Sequence, residues 1–132
     1  MVKYGIIYNT IRYKSIGGKV MGIYSFNVML KLDEVIKKLD SEIIKGTITE
    51  KIDFHEIHSQ SDNKAVLMVY GKKYFRAGNR LTLTICLEEL VDKTYVHVIG
   101  IGGIERTMSG EGEIIERFTN LPREILKEYI VE

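Results

Sequence analysis

The sequence predicts an α+β fold: a curved antiparallel sheet of about five strands, in the order β-α-β-β-β-β-α, with the helices packed on one face. Three observations predict it. Leu81, Leu83, Ile85 and Leu87 alternate strictly with Thr82, Thr84, Cys86 and Glu88, the two-residue period of a half-buried strand. Leu32, Val35, Ile36, Leu39 and Ile43 recur at helical spacing on one side of a helix. The strand-like runs follow one another through short links, whereas a parallel pair needs a crossover of about a dozen residues.

The elements can be justified in order. Residues 1–20 read as an N-terminal extension and 21–132 as a single α+β domain. Gly17-Gly18-Lys19-Val20-Met21 can be encoded by a purine-rich ribosome-binding sequence ahead of an ATG, which would make Met21 the natural start. The competing reading makes residues 2–13 an extra strand. Ile23–Leu30 is a short strand rich in β-branched and aromatic types. In the helix that follows, Asp33 and Glu34 suit the positive N-terminal end and Gly46 suits the C-terminal stop. Ile48–His55 and Ala65–Phe75 are strands separated by the turn composition Ser59-Gln60-Ser61-Asp62-Asn63. Ala77-Gly78-Asn79 turns into the alternating run at Leu81, and Thr94–Ile101 follows a loop near Val91-Asp92-Lys93. Ile114, Ile115 and Phe118 suggest a helical turn or two. A terminal helix then starts near Asn120 or Leu121, with Pro122 in its first turn.

Composition bounds the rest. At 132 residues, 45% hydrophobic and 28% charged, the chain is an ordinary globular domain with one core. Its apolar runs fall far short of the ~20 residues that cross a bilayer, so no membrane span is expected. Cys86 is the single cysteine, which excludes an intramolecular disulfide and suits a reducing, cytoplasmic compartment. No secretory signal is legible. The net charge of +1 hides an asymmetry: residues 1–31 hold five bases and no acid, while residues 105–132 hold seven acids and four bases. These ends can attract each other within one molecule or between two, or simply be solvated surfaces.

Four places carry candidate chemistry. His55-Glu56-Ile57-His58 approaches the zinc-protease HExxH, but its histidines are three apart, and in a strand they point to opposite faces. No metal and no cofactor is expected. Gly100-Ile101-Gly102-Gly103 follows a strand as a phosphate loop would, yet Glu105 stands where a dinucleotide fingerprint needs glycine. A bend where the last strand leaves the sheet is the plainer reading. With Asp92-Lys93 as a two-residue hairpin turn, Glu88 would face His97 and Cys86 would face Ile99. Cys86 and His97 would then be diagonal neighbours. Cys86, Glu88 and His97 are therefore the catalytic candidates, although a buried cysteine commonly acts as a small hydrophobe and the residues lean away from catalysis. Lys72, Lys73, Arg76 and Arg80, interleaved with Tyr70, Tyr74 and Phe75, are the anion-binding candidates. Four cations on a hairpin tip are a small footprint, so nucleic acid is not the expected partner.

Gly78-Asn79-Arg80-Leu81-Thr82-Leu83-Thr84, continued by Val96-His97-Val98-Ile99-Gly100-Ile101-Gly102-Gly103, resembles a family of short Gram-positive bacterial proteins known as a domain of unknown function. The likeness spans Met21 to Phe118 and implies the same fold and a bacterial context. It implies no activity and no catalytic residue.

Two function classes remain. In the first, a non-enzymatic binding module holds a small apolar or amphipathic ligand between the sheet and its terminal helix, an expectation from layout alone. In the second, a homo-oligomer buries the Ile99–Ile101 face. Leu81, Leu83, Ile85, Leu87, Val96 and Val98 should face the helices through Val35, Ile36, Leu39, Leu126 and Ile130. The reverse face, with Thr82, Thr84, Cys86, Tyr95, His97, Ile99 and Ile101, is apolar enough at its far end to want a cover: residues 1–20, a second subunit, or a ligand.

Overall fold

The computed structural model describes residues 11–16, 19–45, 49–58, 63–73, 80–103 and 111–131. Its elements run β1 (Arg12–Ile16), β2 (Lys19–Val28), α1 (Leu32–Ile43), β3 (Thr49–His58), β4 (Lys64–Lys73), β5 (Arg80–Glu89), β6 (Thr94–Gly103), α2 (Glu111–Leu126), a 3-10 turn (Lys127–Tyr129) and β7 (Ile130–Val131). Among the described residues, seven strands form one antiparallel sheet in the order β1-β2-β6-β5-β4-β3, with β7 also on β2. The class is α+β, as expected. The two strands beyond the expected five are short ones: β1 lies along Lys19–Ile23 and β7 along Asn27–Val28.

Alternation sorts the sheet into two faces. Tyr24, Phe26 and Val28 of β2, Met68 and Tyr70 of β4, and the odd-numbered leucines and isoleucine of β5 are buried, as are Val96 and Val98 of β6. They meet Val35, Leu39 and Ile43 of α1 and Ile115, Phe118 and Leu126 of α2 in one core. Each such side chain contributes roughly 1.5–3 kcal/mol when taken fully out of water. Both helices therefore lie on the same face, and the sidedness expected for residues 81–98 holds. The length of α1 also agrees with its sequence pattern, with Asp33 and Glu34 in its first turn. Gly46 lies outside the described residues.

α2 departs from expectation. It is a single helix from Glu111 to Leu126, with Pro122 in its interior rather than its first turn. Proline has no N–H, and its ring crowds the carbonyl four residues back, so the helical ladder is opened there. Tyr24 repairs the opening. Its hydroxyl donates to the Thr119 carbonyl at 2.7 Å and accepts from the Arg123 N–H at 3.4 Å, bridging two groups that would otherwise bond directly. Burial pushes the Tyr24 phenol well above its ordinary pKa, and outweighs the Arg123 N–H and guanidinium, which pull it down.

The glycines at the end of β6 do not mark a bend. Gly102 and Gly103 continue the ladder opposite Val20 and Lys19 of β2. Their neighbour Gly100 and Gly102 itself are notches into which α2 presses. A Cβ on Gly100 would sit 2.8 Å from Thr119 Cβ, and one on Gly102 would sit 2.6 Å from Ile115 Cγ1. Close helix approach, rather than backbone freedom, requires glycine here.

α1 is tied down by a polar pin. Asp40 accepts from the Tyr70 hydroxyl and from Lys51 Nζ at 2.9 Å, joining the helix to β4 and β3. Lys51 Nζ also lies 4.3 Å from the Phe54 ring centre. Burial, and next the Asp40 carboxylate, raises the Tyr70 phenol far above its usual pKa. β3 needs a bulge between Lys51 and Asp53 to keep Lys51 on the helix side while Asp53 faces away.

Candidate functional site

The reverse sheet face carries the catalytic candidates. The β5–β6 connection is the four-residue loop Leu90–Lys93, closed by the Leu90 N–H donating to the Lys93 carbonyl at 2.8 Å, not a two-residue turn at Asp92-Lys93. This shifts the expected register. Cys86 stands directly opposite His97, Glu88 opposite Tyr95, and Thr84 opposite Ile99. His97 stacks against Tyr95 with ring centres 6.5 Å apart, and its Nδ1 is buried without a hydrogen-bond partner. Cys86 is exposed rather than buried, and partial desolvation still raises its thiol above the ordinary pKa, which favours the thiol over the thiolate nucleophile. The structure thus brings Cys86 and His97 together, closer in register than expected, but puts no hydrogen bond on Nδ1 to orient the imidazole.

Lys72 Nζ lies 5.7 Å from the Phe118 ring centre, a cation–π contact on the helix side. Lys73 and Arg80 are paired across the β4–β5 ladder, and Arg76 lies outside the described residues. On β3 the ladder pairs His55 with Leu67 and His58 with Lys64. Among the described residues, no group of three or more His, Cys, Asp or Glu is placed to hold a metal ion.

Sequence reasoning missed a cleft at one end of the sheet. Its volume is about 610 Å³, and its lining comes from three segments: the β2–α1 joint, the β5–β6 loop, and Asn63 ahead of β4. Met29, Leu30, Leu90 and Val91 give it an apolar lining, while Lys31, Glu34, Glu89, Asp92 and Lys93 supply charges of both signs. Val91 is fully exposed and Met29 is 53% exposed, an arrangement the core does not need. The walls are held from behind. The buried Thr94 hydroxyl donates to the Leu30 carbonyl at 2.7 Å, and the Met29 N–H donates to the Tyr129 carbonyl at 2.8 Å. The cleft is therefore built before anything enters it. A faint signal was present in the sequence: Val91 is an apolar residue at a hairpin tip, where turn chemistry favours polar ones.

The seam between β6 and α2, where a ligand was expected, is filled along Gly100 and Gly102 by Thr119 and Ile115. A second, shallower cleft of about 400 Å³ lies between the helices, lined by Lys38, Ser41, Glu42, Glu124 and Ile125.

The fold and these clefts define an α+β protein with an open, one-sided antiparallel sheet. The chain belongs to a family of unknown function, DUF6054, which matches residues 21–130. The match begins at Met21 and runs on through α2. No curated protein matches the chain. Among solved structures it is similar to the lipid transfer and protein localization domain of human StarD13 (DLC2). That likeness has 6% identity and a TM-score of 0.33, over 97% of this chain and 93% of the other. No helix among the described residues is long and apolar enough to cross a membrane.

Proposed function

We propose that the protein is a non-enzymatic binding module whose ligand is a small amphipathic molecule seated in the cleft between the β2–α1 joint and the β5–β6 loop. The observation that carries this is the apolar lining of Met29, Leu30, Leu90 and Val91, with Met29 and Val91 exposed, within a cleft of about 610 Å³. That volume lies in the ~300–1,000 Å³ range of small-molecule sites. The rim holds both signs of charge, Lys31 and Lys93 against Glu34, Glu89 and Asp92, which suits a zwitterionic head better than a simple anion. Desolvation of the apolar part supplies affinity, and the charges orient the head.

Titration with dihexanoylphosphatidylcholine below its micelle concentration, followed by amide NMR, tests this. Shifts should cluster on residues 29–34 and 89–94, and Val91→Asp should weaken binding about tenfold, the scale of one lost apolar contact. Shifts confined to the sheet face or to α2, or affinity indifferent to Val91→Asp, would remove the proposal.

The second reading is a homo-oligomer through the reverse sheet face. It is favoured by Met21, Ile23, Ile99 and Ile101, which adjoin one another there on β2 and β6 with no helix among the described residues over them.

A further inference from the structure

The reverse face is not merely apolar; it is ordered from one border to the other. Following the ladder across the sheet, one transverse row reads Arg12, Ile23, Ile99, Thr84, Val69, Asp53. The row beside it starts at Lys14, passes Met21 and Ile101, and ends at Glu50. Each row is cationic on β1, apolar on β2 and β6 and anionic on β3, with Thr84 and Val69 between in the first and Thr82 and Gly71 in the second. The side chains share the face turned away from the helices, because their alternates Tyr13 and Lys51 meet Thr119-backed Gly22 and Asp40 on the helix side.

We propose that this face pairs with a second copy of the chain about a two-fold axis parallel to the strands, lying between β5 and β6. This rests on the second reading above and fixes its geometry. Rotation about that axis carries β1 of one copy over β3 of the other and leaves height along the strands unchanged. Arg12 then meets Asp53 of the second copy, Lys14 meets Glu50 of the second copy, and Ile23 lies over Val69 of the second copy. Each pair occurs twice, as an isologous interface requires. A two-fold axis across the strands would instead stack β1 on β1, cation on cation. Sheets packed face to face sit ~10 Å apart with strands within about 30° of one another, a gap that arginine and lysine side chains span.

The dimensions agree. Five ten-residue strands and the five-residue β1, at a spacing of ~4.8 Å and a rise of ~3.3 Å per residue, give a footprint of about 870 Å² per copy, the size of a standard stable interface.

The test is sedimentation velocity of the full chain from 1 to 100 µM, with far-UV circular dichroism confirming the fold of each variant. The wild type should be dimeric, and Ile99→Lys should weaken association at least a hundredfold. Arg12→Asp and Asp53→Arg should each weaken it about tenfold, because each places like charges at two symmetry-related points. The double variant Arg12→Asp/Asp53→Arg should recover to within about threefold of wild type. A dimer whose double swap is no better than the single reversals would overturn the two-fold order while sparing the interface. A wild type monomeric at 100 µM would overturn both. So would a chain that dimerises only after residues 1–10 are deleted, since that would make the chain's own N-terminal segment the cover.

Discussion

Gly100→Ala tests how α2 is seated. The new methyl would lie 2.8 Å from both Cβ and Cγ2 of Thr119, and closer still to its hydroxyl, below the roughly 3.0 Å that real Cβ atoms respect. Thr119 is buried and cannot swing away. The Gly100 backbone is not in the left-handed region. In open space alanine would therefore stabilise the strand by about 0.5–1 kcal/mol relative to glycine. Overpacking at a fixed helix costs roughly 1–3 kcal/mol, so the net loss should be about 1.5 kcal/mol. With a urea m-value of about 2 kcal/mol/M, the midpoint should fall by ~0.7 M at unchanged slope. Adding Thr119→Ala removes the hydroxyl and methyl but leaves the Cβ contact, so about half the loss should return. Gly22→Ala is the internal comparison. Its nearest contact is the ring edge of Tyr13, which is 39% exposed and free to move, so the cost should stay below ~1 kcal/mol. A Gly100→Ala midpoint equal to or above wild type would refute the close seating of α2 on β6.

The repaired proline break predicts that Tyr24→Phe, which leaves the Thr119 carbonyl and Arg123 N–H to find other partners, destabilises by about 1–3 kcal/mol in the same urea assay. Asp40→Ala should cost about 1–2 kcal/mol by removing the shared acceptor of Tyr70 and Lys51, discounted because the ion pair is partly exposed. A double-mutant cycle with Tyr70→Phe should then show coupling. Stability should also fall above pH ~10, the pKa of an unfolded tyrosine. There the folded chain keeps protons on Tyr24 and Tyr70 that the unfolded chain releases, so each contributes a slope of about −1.4 kcal/mol per pH unit until its own raised pKa is reached. Urea midpoints at pH 9, 10 and 11 check this, and Tyr70→Phe should roughly halve the slope. Alkylation of Cys86 by iodoacetamide at pH 7.5 should be slower than that of free cysteine, and His97→Ala should change the rate less than twofold. A faster rate that His97→Ala abolishes would restore the catalytic reading of that pair.

Much of the architecture was legible because burial follows local periods. The apolar stripe of α1 and the alternation of β5 and β6 are repeated over ten residues or more, and packing has no reason to override them. What stayed hidden depends on partners distant in sequence. The continuity of α2 through Pro122 relies on Tyr24, 95 residues from Thr119, so a local reading sees only a helix start. Gly100 and Gly102 look like a bend until a helix is laid on them. Asp92-Lys93 has the composition of a tight turn, and nothing nearby reveals that Leu90 and Val91 also leave the ladder, which moves Cys86 opposite His97. The cleft could not be read at all, being assembled from three segments, although its most exposed apolar residue, Val91, stood in plain view as an ill-suited tip.

The lateral borders of the sheet have a bearing on behaviour in concentrated solution. One margin of β2 is shared by β1 and β7, short ribbons from near opposite ends of the chain. The other margin, β3, is roughened by its bulge and studded with Glu50, Lys51, Asp53 and Glu56. A stray ribbon from a neighbouring molecule thus meets a brief, charged or kinked template on either flank, the features that discourage fibrillar growth. Crowding should accordingly yield discrete, soluble particles rather than endlessly extended filaments.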